Sequence, residues 1–358
     1  MKIAFIHEYL NQFGGAERML QVLSAMFPQA PIYTLIYDEN LTGHIFEDRT
    51  IFTSFLQKLP LTKNHHRLFP LLMPIAIEQF DFSDYDIVIS ISASFAKGII
   101  TKPETRHICY CLTPTRFLWD NSQKLLEEFS FPAIIKKFMP PFISYLRIWD
   151  QEASVRVDEF WSISNFIKNR VKKYYNSDSK IIYPPVNANK FIISPNIGEY
   201  YLIVGRLVPY KKFDLAIEAF NDLGKQLIIV GTGPELFKLK KIAKNNIKFL
   251  GLVSDDYLSV LYSRAKALIF PQEEDFGIVP LEAMASGRPV IAYRSGGAVE
   301  TIIEGKTGIF FDEQNTESLI KAIIDFKENN FNPAICRAQA EKFDVEIFRK
   351  NIFKHLNI

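Results

Sequence analysis

Two carboxylates and two cations in the second half of the chain have types and spacings that suit the binding of hydroxyl groups and phosphate. Glu274 and Glu282 lie eight positions apart within PQEEDFGIVPLEAMASGRP (271–289), with Phe276-Gly277 between them. The apolar run KALIF (266–270) enters this stretch as a strand, and PLEAMAS (280–286) leaves it as a helix. In an open α/β sheet, ligands bind outside the carboxyl ends of strands, so such a join is a place to look for a site. A loop of this kind also lets backbone N–H groups and a helix N-terminus point at an anion. The spacing puts Glu282 in the first turn of the helix. A carboxylate there has two readings, an acceptor for ligand hydroxyls or a complement to the helix dipole. Glu274 likewise reads as a ligand contact or as a solvated loop acid.

The cations are Arg206 and Lys211, five positions apart in VGRLVPYKKFD (204–214), a loop at a strand end. A departing diphosphate needs positive charge to stabilise it, and two cations on one loop suit that task. Solvated surface charge is the alternative. Glycine turns occur at Gly14-Gly15, at Gly231 in GTGPE (231–235) and at Gly296-Gly297. Glycine permits close backbone approach to a ligand, and ordinary turn chemistry explains it equally well. GTGPE lacks G-x-G-x-x-G spacing, which argues against a dinucleotide redox cofactor. Asp84-Tyr85-Asp86 has the letters of a D-x-D metal motif, but acids commonly flank strands. Neither G-x-S-x-G nor H-E-x-x-H occurs, so a serine hydrolase or a zincin is not supported.

The elements that must position these residues read as two series of alternating strands and helices. KIAFIHEYL (2–10), APIYTLIYD (30–38), DYDIVISIS (84–92) and a strand in RHICYCLTPTRFLWD (106–120) are apolar runs without alternation, as in a parallel sheet. QFGGAERMLQVLSAMF (12–27) is a glycine turn followed by an amphipathic helix. Residues 52–80 read as short helices on a surface. VDEFWSISNFIKNRVKKYY (157–175) is a strand and a helix, with Ser164 or Asn165 as N-cap. KIIYPPVNANKF (180–191) is the most linker-like stretch. Strand–helix units then resume at 201–220, 225–245 and 247–265, and 287–311 adds two short strands with a Gly-Gly turn. EKFDVEIFRKNIFKHL (341–356) is an amphipathic helix. Alternation of this kind means a parallel sheet covered on both faces.

Composition agrees with a soluble α/β protein of two domains. The chain has 358 residues, 48% hydrophobic and 23% charged, with a net charge of +2, so no strong nucleic-acid field is implied. Cys109, Cys111 and Cys336 form neither a metal-ligand spacing nor a disulfide framework, which fits a reduced, cytoplasmic setting. MKIAFIHEYL reads as a first strand rather than a signal peptide. No apolar run reaches the roughly 18 residues that a membrane span needs. FSFPAIIKKFMPPFISYLRIWD (129–150) interleaves apolar residues with Lys136, Lys137 and Arg147. It has two readings, a segment lying on a bilayer surface or a core contact with a wet basic edge. The candidate patch is Phe129, Phe131, Ile134, Ile135, Phe138, Met139 and Phe142.

EDFGIVPLEAMASGRPVIA resembles the E-x7-E motif of the retaining GT-B glycosyltransferases of family 4. GRL-x3-K at 205–211, Gly14-Gly15-Ala16-Glu17 and the GG-x2-E turn ending at Glu300 are similar to other motifs of that family. The resemblance covers nearly the whole chain. It implies an α/β GT-B fold, two Rossmann-like domains facing each other across a cleft. They would be an acceptor-side domain (1–198) and a nucleotide-sugar-binding domain (199–340), with a helix (341–358) packing back on the first. It implies Arg206, Lys211 and Glu274 as catalytic residues, the cations on the donor diphosphate and Glu274 near the donor sugar. Glu282 would bind the ribose. Leu252 and Val253 would cradle the base, and Gly14, Gly15, Gly231, Phe276, Gly277 and Ile278 would line the donor site. No metal or other cofactor is implied.

RHICYCLTPTRFLWD is similar to a run in bacterial polysaccharide mannosyltransferase-like members, with Leu112 where many have His. Thr113, Arg116, Trp119 and Asp120 are further candidates for acceptor or donor contacts. Lys212 stands where many relatives have Gly. The implied reaction transfers a sugar, mannose from GDP-mannose first, to a lipid-linked saccharide acceptor in O-antigen or capsule assembly. The implied location is the inner face of the cytoplasmic membrane. A nucleotide-sugar 2-epimerase, a glycosidase using Glu274 and Glu282 and an inactive carbohydrate-binding relative remain open. The glycosidase leaves Arg206 and Lys211 unexplained.

Overall fold

Apolar runs rich in Ile, Val, Leu and Phe, too short for helices and closed by turn residues, become buried strands. A computed structural model of the chain describes residues 1–60, 62–120 and 133–358. These form two units, Met1–Ile182 and Tyr183–Ile358. Each is built on one parallel sheet.

In the first unit β1 (Ile3–Leu10), β2 (Ile32–Tyr37), β3 (Ile51–Thr53), β4 (Ile87–Ser92), β5 (Arg106–Cys111), β6 (Glu159–Ser162) and β7 (Ser179–Ile181) lie in the order β3-β2-β1-β4-β5-β6-β7. In the second, β8 (Tyr200–Val204), β9 (Gln226–Val230), β10 (Ile247–Gly251), β11 (Leu268–Phe270), β12 (Val290–Tyr293) and β13 (Gly308–Phe311) lie in the order β10-β9-β8-β11-β12-β13. The strand order reverses between β1 and β4 and between β8 and β11. Those are the points at which doubly wound sheets open a crevice for ligands.

Two expectations change. Residues 52–80 do form short helices, and one face of them is core rather than surface: Leu56, Met73, Ala76 and Ile77 are fully buried in the first unit's core, while Leu68 and Ile75 are exposed. Strand β3 and strand β7, in the linker-like stretch, were not legible. Each has three residues at a sheet edge, too few to show a pattern. Ser164 is the N-cap of helix Asn165–Tyr175, its Oγ accepting from the Ile167 N–H at 3.1 Å.

The first unit is organised around buried charge. Lys97 follows β4 and Asp150 lies on helix Ala133–Val155, and both are 1% exposed. Lys97 Nζ donates to Asp150 Oδ1 at 2.5 Å and to the Ser94 carbonyl at 2.5 Å. Thr115 Oγ1 donates to Asp150 Oδ1 at 2.6 Å, while Trp119 Nε1 and Tyr175 OH donate to Oδ2 at 2.8 and 2.9 Å. A second buried acid, Glu8 at the end of β1, accepts from Ser92 Oγ and from the N–H groups of Ala93, Ser94 and Ala96 at 2.7–3.2 Å. These bonds fix the loops that follow β4 and β5.

Breaking a buried pair by deleting one partner typically costs about 3–5 kcal/mol, because the other charge is left without compensation. Asp150→Ala should therefore lower the unfolding free energy by roughly 3–5 kcal/mol in urea titration. A loss below about 1 kcal/mol would show that Lys97 reaches water in the folded protein.

Candidate functional site

The loops that follow β8, β9, β11 and β12 rest on one another, backbone against backbone. A Cβ on Gly231 would stand 1.9 Å from the Gly205 carbonyl oxygen, and one on Gly233 would stand 2.3 Å from that of Leu207. Leu207 N–H donates to the Thr232 carbonyl at 2.9 Å, closing the contact. The same device recurs across β11 and β12. A Cβ on Gly296 would stand 2.1 Å from the Glu274 carbonyl oxygen, and the Gly297 N–H donates to that oxygen at 2.8 Å. Only glycine fits such an approach.

Across the β8–β11 switch point, Lys211 Nζ and Glu274 Oε1 form an ion pair, the side chains 13% and 20% exposed. The structure thus joins two of the three residues expected to be catalytic. The third, Arg206, is exposed and makes no ion pair among the described residues. Lys211 ends the short turn Pro209–Lys211, and Lys212 follows with φ +55° and ψ +38°. That left-handed conformation is one that glycine occupies without strain.

Glu282 corrects its expected place. The helix runs Ile278–Ala285 from an N-cap at Gly277 (φ +89°), so it starts ahead of Pro280 and Glu282 is its fifth residue, beyond the first turn. Pro280 is tolerated because the first N–H groups of a helix have no intrahelical partner to lose. A dipole complement no longer explains the carboxylate. It is 7% exposed, and Oε2 accepts from the Tyr262 hydroxyl at 2.8 Å. Sequence reasoning missed Tyr262. Its only signal was a tyrosine on the buried face of a helix, beside Leu261.

The remaining residues fall as follows. Phe276 is buried, its ring stacked on Tyr183 (5.6 Å between centroids) and tilted against Phe343 (5.7 Å). Tyr183 OH donates to Glu300 Oε2 at 3.2 Å, tying the Gly-Gly turn to the same cluster. Ile278 is half-buried at the helix start, and Leu252 and Val253 follow β10, Leu252 being 80% exposed.

Gly14 and Gly15 lie in the first unit, where Gly14 caps helix Gly15–Met26 and donates its N–H to Glu17 Oε2 at 2.7 Å. Glu17 Oε1 faces His7 Nε2 at 3.4 Å, and the Ile91 carbonyl lies 3.1 Å from His7 Nδ1. Burial pulls the His7 pKa down, but Glu17, Glu8 and the Ile91 carbonyl outweigh it and leave it above its ordinary value. Burial pushes Glu17 up, and His7 and the Gly14 N–H outweigh that in turn, so Glu17 sits below its own.

Trp119 and Asp120 have internal partners. Trp119 binds Asp150 and stacks on Tyr174, and Asp120 takes the Tyr174 hydroxyl at 2.5 Å and pairs with Arg170. In the proposed membrane patch, Phe129 and Phe131 lie outside the described residues, as do the side chains of Ile134, Ile135, Lys136, Lys137 and Phe138. Met139 is packed against the core, whereas Phe142, Tyr145 and Ile148 are exposed on one face of helix Ala133–Val155.

Residues 189–343 match the family described as glycosyl transferases group 1. An uncharacterized glycosyltransferase, MJ1178, of Methanocaldococcus jannaschii is 32% identical over 51% of this chain and 53% of its own length. The O-antigen chain mannosyltransferase RfbU of Salmonella typhimurium is 31% identical over 54% of this chain and 59% of its own. The chain thus spans little more than half the length of these relatives. The crystal structure of Anabaena Alr3699/HepE in complex with UDP and glucose superposes with a TM-score of 0.73 at 19% identity, covering 100% of this chain and 99% of that one. The fold is GT-B, two Rossmann-like α/β domains. The match to the glycosyl transferases group 1 family falls within the second unit, Tyr183–Ile358.

Lys212 holds its left-handed backbone as a residue with a Cβ. The left-handed region costs a residue with a Cβ about 1–2 kcal/mol, and glycine's added chain entropy cancels about 0.5–1 kcal/mol of that relief. Lys212→Gly should therefore stabilise the protein by about 0.5–1 kcal/mol in chemical denaturation. A lower midpoint at unchanged slope would show that the lysine side chain contributes more than its backbone strain removes.

Proposed function

We propose that the protein is a retaining hexosyltransferase that moves a sugar from a nucleoside-diphosphate sugar to a saccharide acceptor carried on a lipid. The observation that carries this reading is the Lys211–Glu274 ion pair between the loops after β8 and β11, with Arg206 on the same loop as the lysine. A strand-end cation beside a carboxylate suits a ligand that presents both a diphosphate and sugar hydroxyls. Mannose is the leading donor sugar and GDP-mannose the leading donor. RfbU, whose name specifies mannose transfer to O-antigen, supports that choice.

In the proposed reaction the bond between the sugar's anomeric carbon and the donor's phosphate oxygen breaks. Arg206 and Lys211 stabilise the charge that gathers on the diphosphate. The departing phosphate oxygen takes the proton from the acceptor hydroxyl, and the hydroxyl oxygen bonds to the anomeric carbon on the face the diphosphate leaves. Configuration is retained, and the protein supplies no covalent nucleophile. Glu274 neutralises Lys211 until donor arrives and then faces the sugar. Glu282 accepts from the ribose, and the exposed Leu252 and half-buried Val253 meet the base. The scheme calls for no metal and no other cofactor.

A lipid-linked acceptor requires work at a bilayer surface, here the inner face of the cytoplasmic membrane. Among the described residues no helix is long and apolar enough to cross a membrane. Surface docking through Phe142, Tyr145 and Ile148, with Lys136 and Lys137 on the same helix, fits that requirement.

Arg206→Ala and Lys211→Ala should each reduce turnover by about 10²-fold or more, the scale of one lost preorganised charge-stabilising group. Normal turnover in both variants, followed as release of nucleoside diphosphate from a nucleotide sugar, would sink the assignment. For the membrane reading, the protein should sediment with anionic liposomes at low salt and release at high salt, since exposed charges are screened over about 10 Å at 0.1 M salt. Phe142→Ser combined with Ile148→Ser should weaken sedimentation and spare nucleotide binding. Indifference of the wild-type protein to anionic liposomes would remove the docking surface from the account.

A further inference from the structure

We propose that Tyr262 is a positioning residue for ribose recognition, its buried hydroxyl holding the Glu282 carboxylate in the orientation that accepts a ribose hydroxyl. This rests on the assignment of Glu282 to the donor ribose made above.

Tyr262 lies on helix Asp255–Arg264, and none of it reaches solvent. Its hydroxyl stands 2.8 Å from Glu282 Oε2. An ionised carboxylate can only accept, so the tyrosine O–H donates. Each buried polar group satisfies the other, and a hydrogen bond to a charged group is among the stronger kinds.

Both ends of this bond sit on backbone tied by further hydrogen bonds. The residue before Tyr262 is held through its carbonyl, Leu261 O, by Tyr200 OH at 2.8 Å. The residue after it is held through Ser263 O by Arg288 Nε at 2.7 Å. The Tyr262 ring packs edge-on to Phe191, 5.8 Å between centroids. On the other side, Glu282 sits inside helix Ile278–Ala285, and Ser286 Oγ donates to its carbonyl at 3.1 Å.

A bond between two hydrogen-bonded stretches of backbone favours one rotamer of a flexible side chain. The conformational freedom of the glutamate is thereby lost at folding rather than at binding, which favours affinity. The bond also occupies part of Oε2, so a ligand hydroxyl meets a carboxylate of fixed tilt. Leucine or phenylalanine at 262 would fill the same space without this effect. A tyrosine rather than a phenylalanine there is explained by its bond to Glu282.

The test is titration calorimetry with GDP and UDP and with the 2′,3′-dideoxy counterpart of whichever binds wild-type protein more tightly. Tyr262→Phe keeps the ring and removes only the donor. The wild type should prefer the ribonucleotide, Glu282→Ala should abolish that preference, and Tyr262→Phe should reduce it by about tenfold while leaving dideoxynucleotide affinity unchanged. Phe191→Leu loosens the ring but keeps the hydroxyl, and should lower the preference in the same sense, which covers a Tyr262→Phe protein that fails to fold. A full preference in Tyr262→Phe and Phe191→Leu, with loss in Glu282→Ala, would reduce Tyr262 to a packing residue and overturn the proposal. A full preference in Glu282→Ala, or no binding of either nucleotide, would remove the ribose assignment and the proposal with it.

Discussion

The second unit depends on backbone touching backbone at the carboxyl edge of its sheet. Gly231 and Gly233 let the turn after β9 lie against the loop after β8, and Gly296 and Gly297 let the turn after β12 lie against the loop after β11. At separations of 1.9–2.4 Å from a would-be Cβ to backbone atoms, no side-chain rearrangement could make room for alanine. The pairing fixes the heights of the two loops that carry Lys211 and Glu274. It leaves the long side chains to bridge the β8–β11 switch point. Charge placement at the site therefore follows from steric exclusion one layer below it.

Charge is handled differently in the two units. In the first, Lys97 and Asp150 are enclosed and every lone pair and proton of the pair is matched by a neighbour, so the charges hold loops in place. Continuum arguments make such a pair roughly neutral for net stability and severe to break, which fits a role in specifying loop geometry. In the second unit Lys211 and Glu274 keep some exposure and Arg206 is open to solvent. A pair that is partly wet can exchange its partner for a ligand's phosphate at modest cost. Tyr262 and Glu282 lie between these cases, one fully buried and one nearly so.

Much of the framework was legible because parallel strands buried on both faces leave short apolar runs bounded by turn residues. β1, β2, β4, β5 and the strands of the second unit appear where those runs stand. β3 and β7 did not show, since three residues at a sheet edge carry no period. Helices Thr316–Asp325 and Pro333–Glu341 were missed although Asn315 and Asn332 cap them. The last helix begins only at Val345, after an Asp344 N-cap.

At the candidate site, Arg206, Lys211, Glu274 and Glu282 were proposed from spacing and family resemblance, whereas Tyr262, which bonds Glu282, was not foreseen. Glu8, Lys97, Thr115, Asp150 and Tyr175 are scattered along the chain, and only the fold brings them together. A signal existed for one of them. Ile143, Leu146, Asp150 and Ala153 recur at helical spacing on a buried stripe, and an acid on such a stripe demands a buried partner. Glu282 lies past the first turn because a left-handed Gly277 starts the helix at Ile278, ahead of Pro280.

The central claim is that the loops joined by Lys211 and Glu274 hold the diphosphate of a nucleotide donor. The most direct measurement is a crystal structure of the protein soaked with a nucleoside diphosphate. The account predicts a terminal phosphate within hydrogen-bonding distance of Lys211 Nζ and the Arg206 guanidinium, with Glu274 turned away from the lysine. A nucleotide bound elsewhere, or one bound with the Lys211–Glu274 pair intact and no phosphate on either cation, would contradict it.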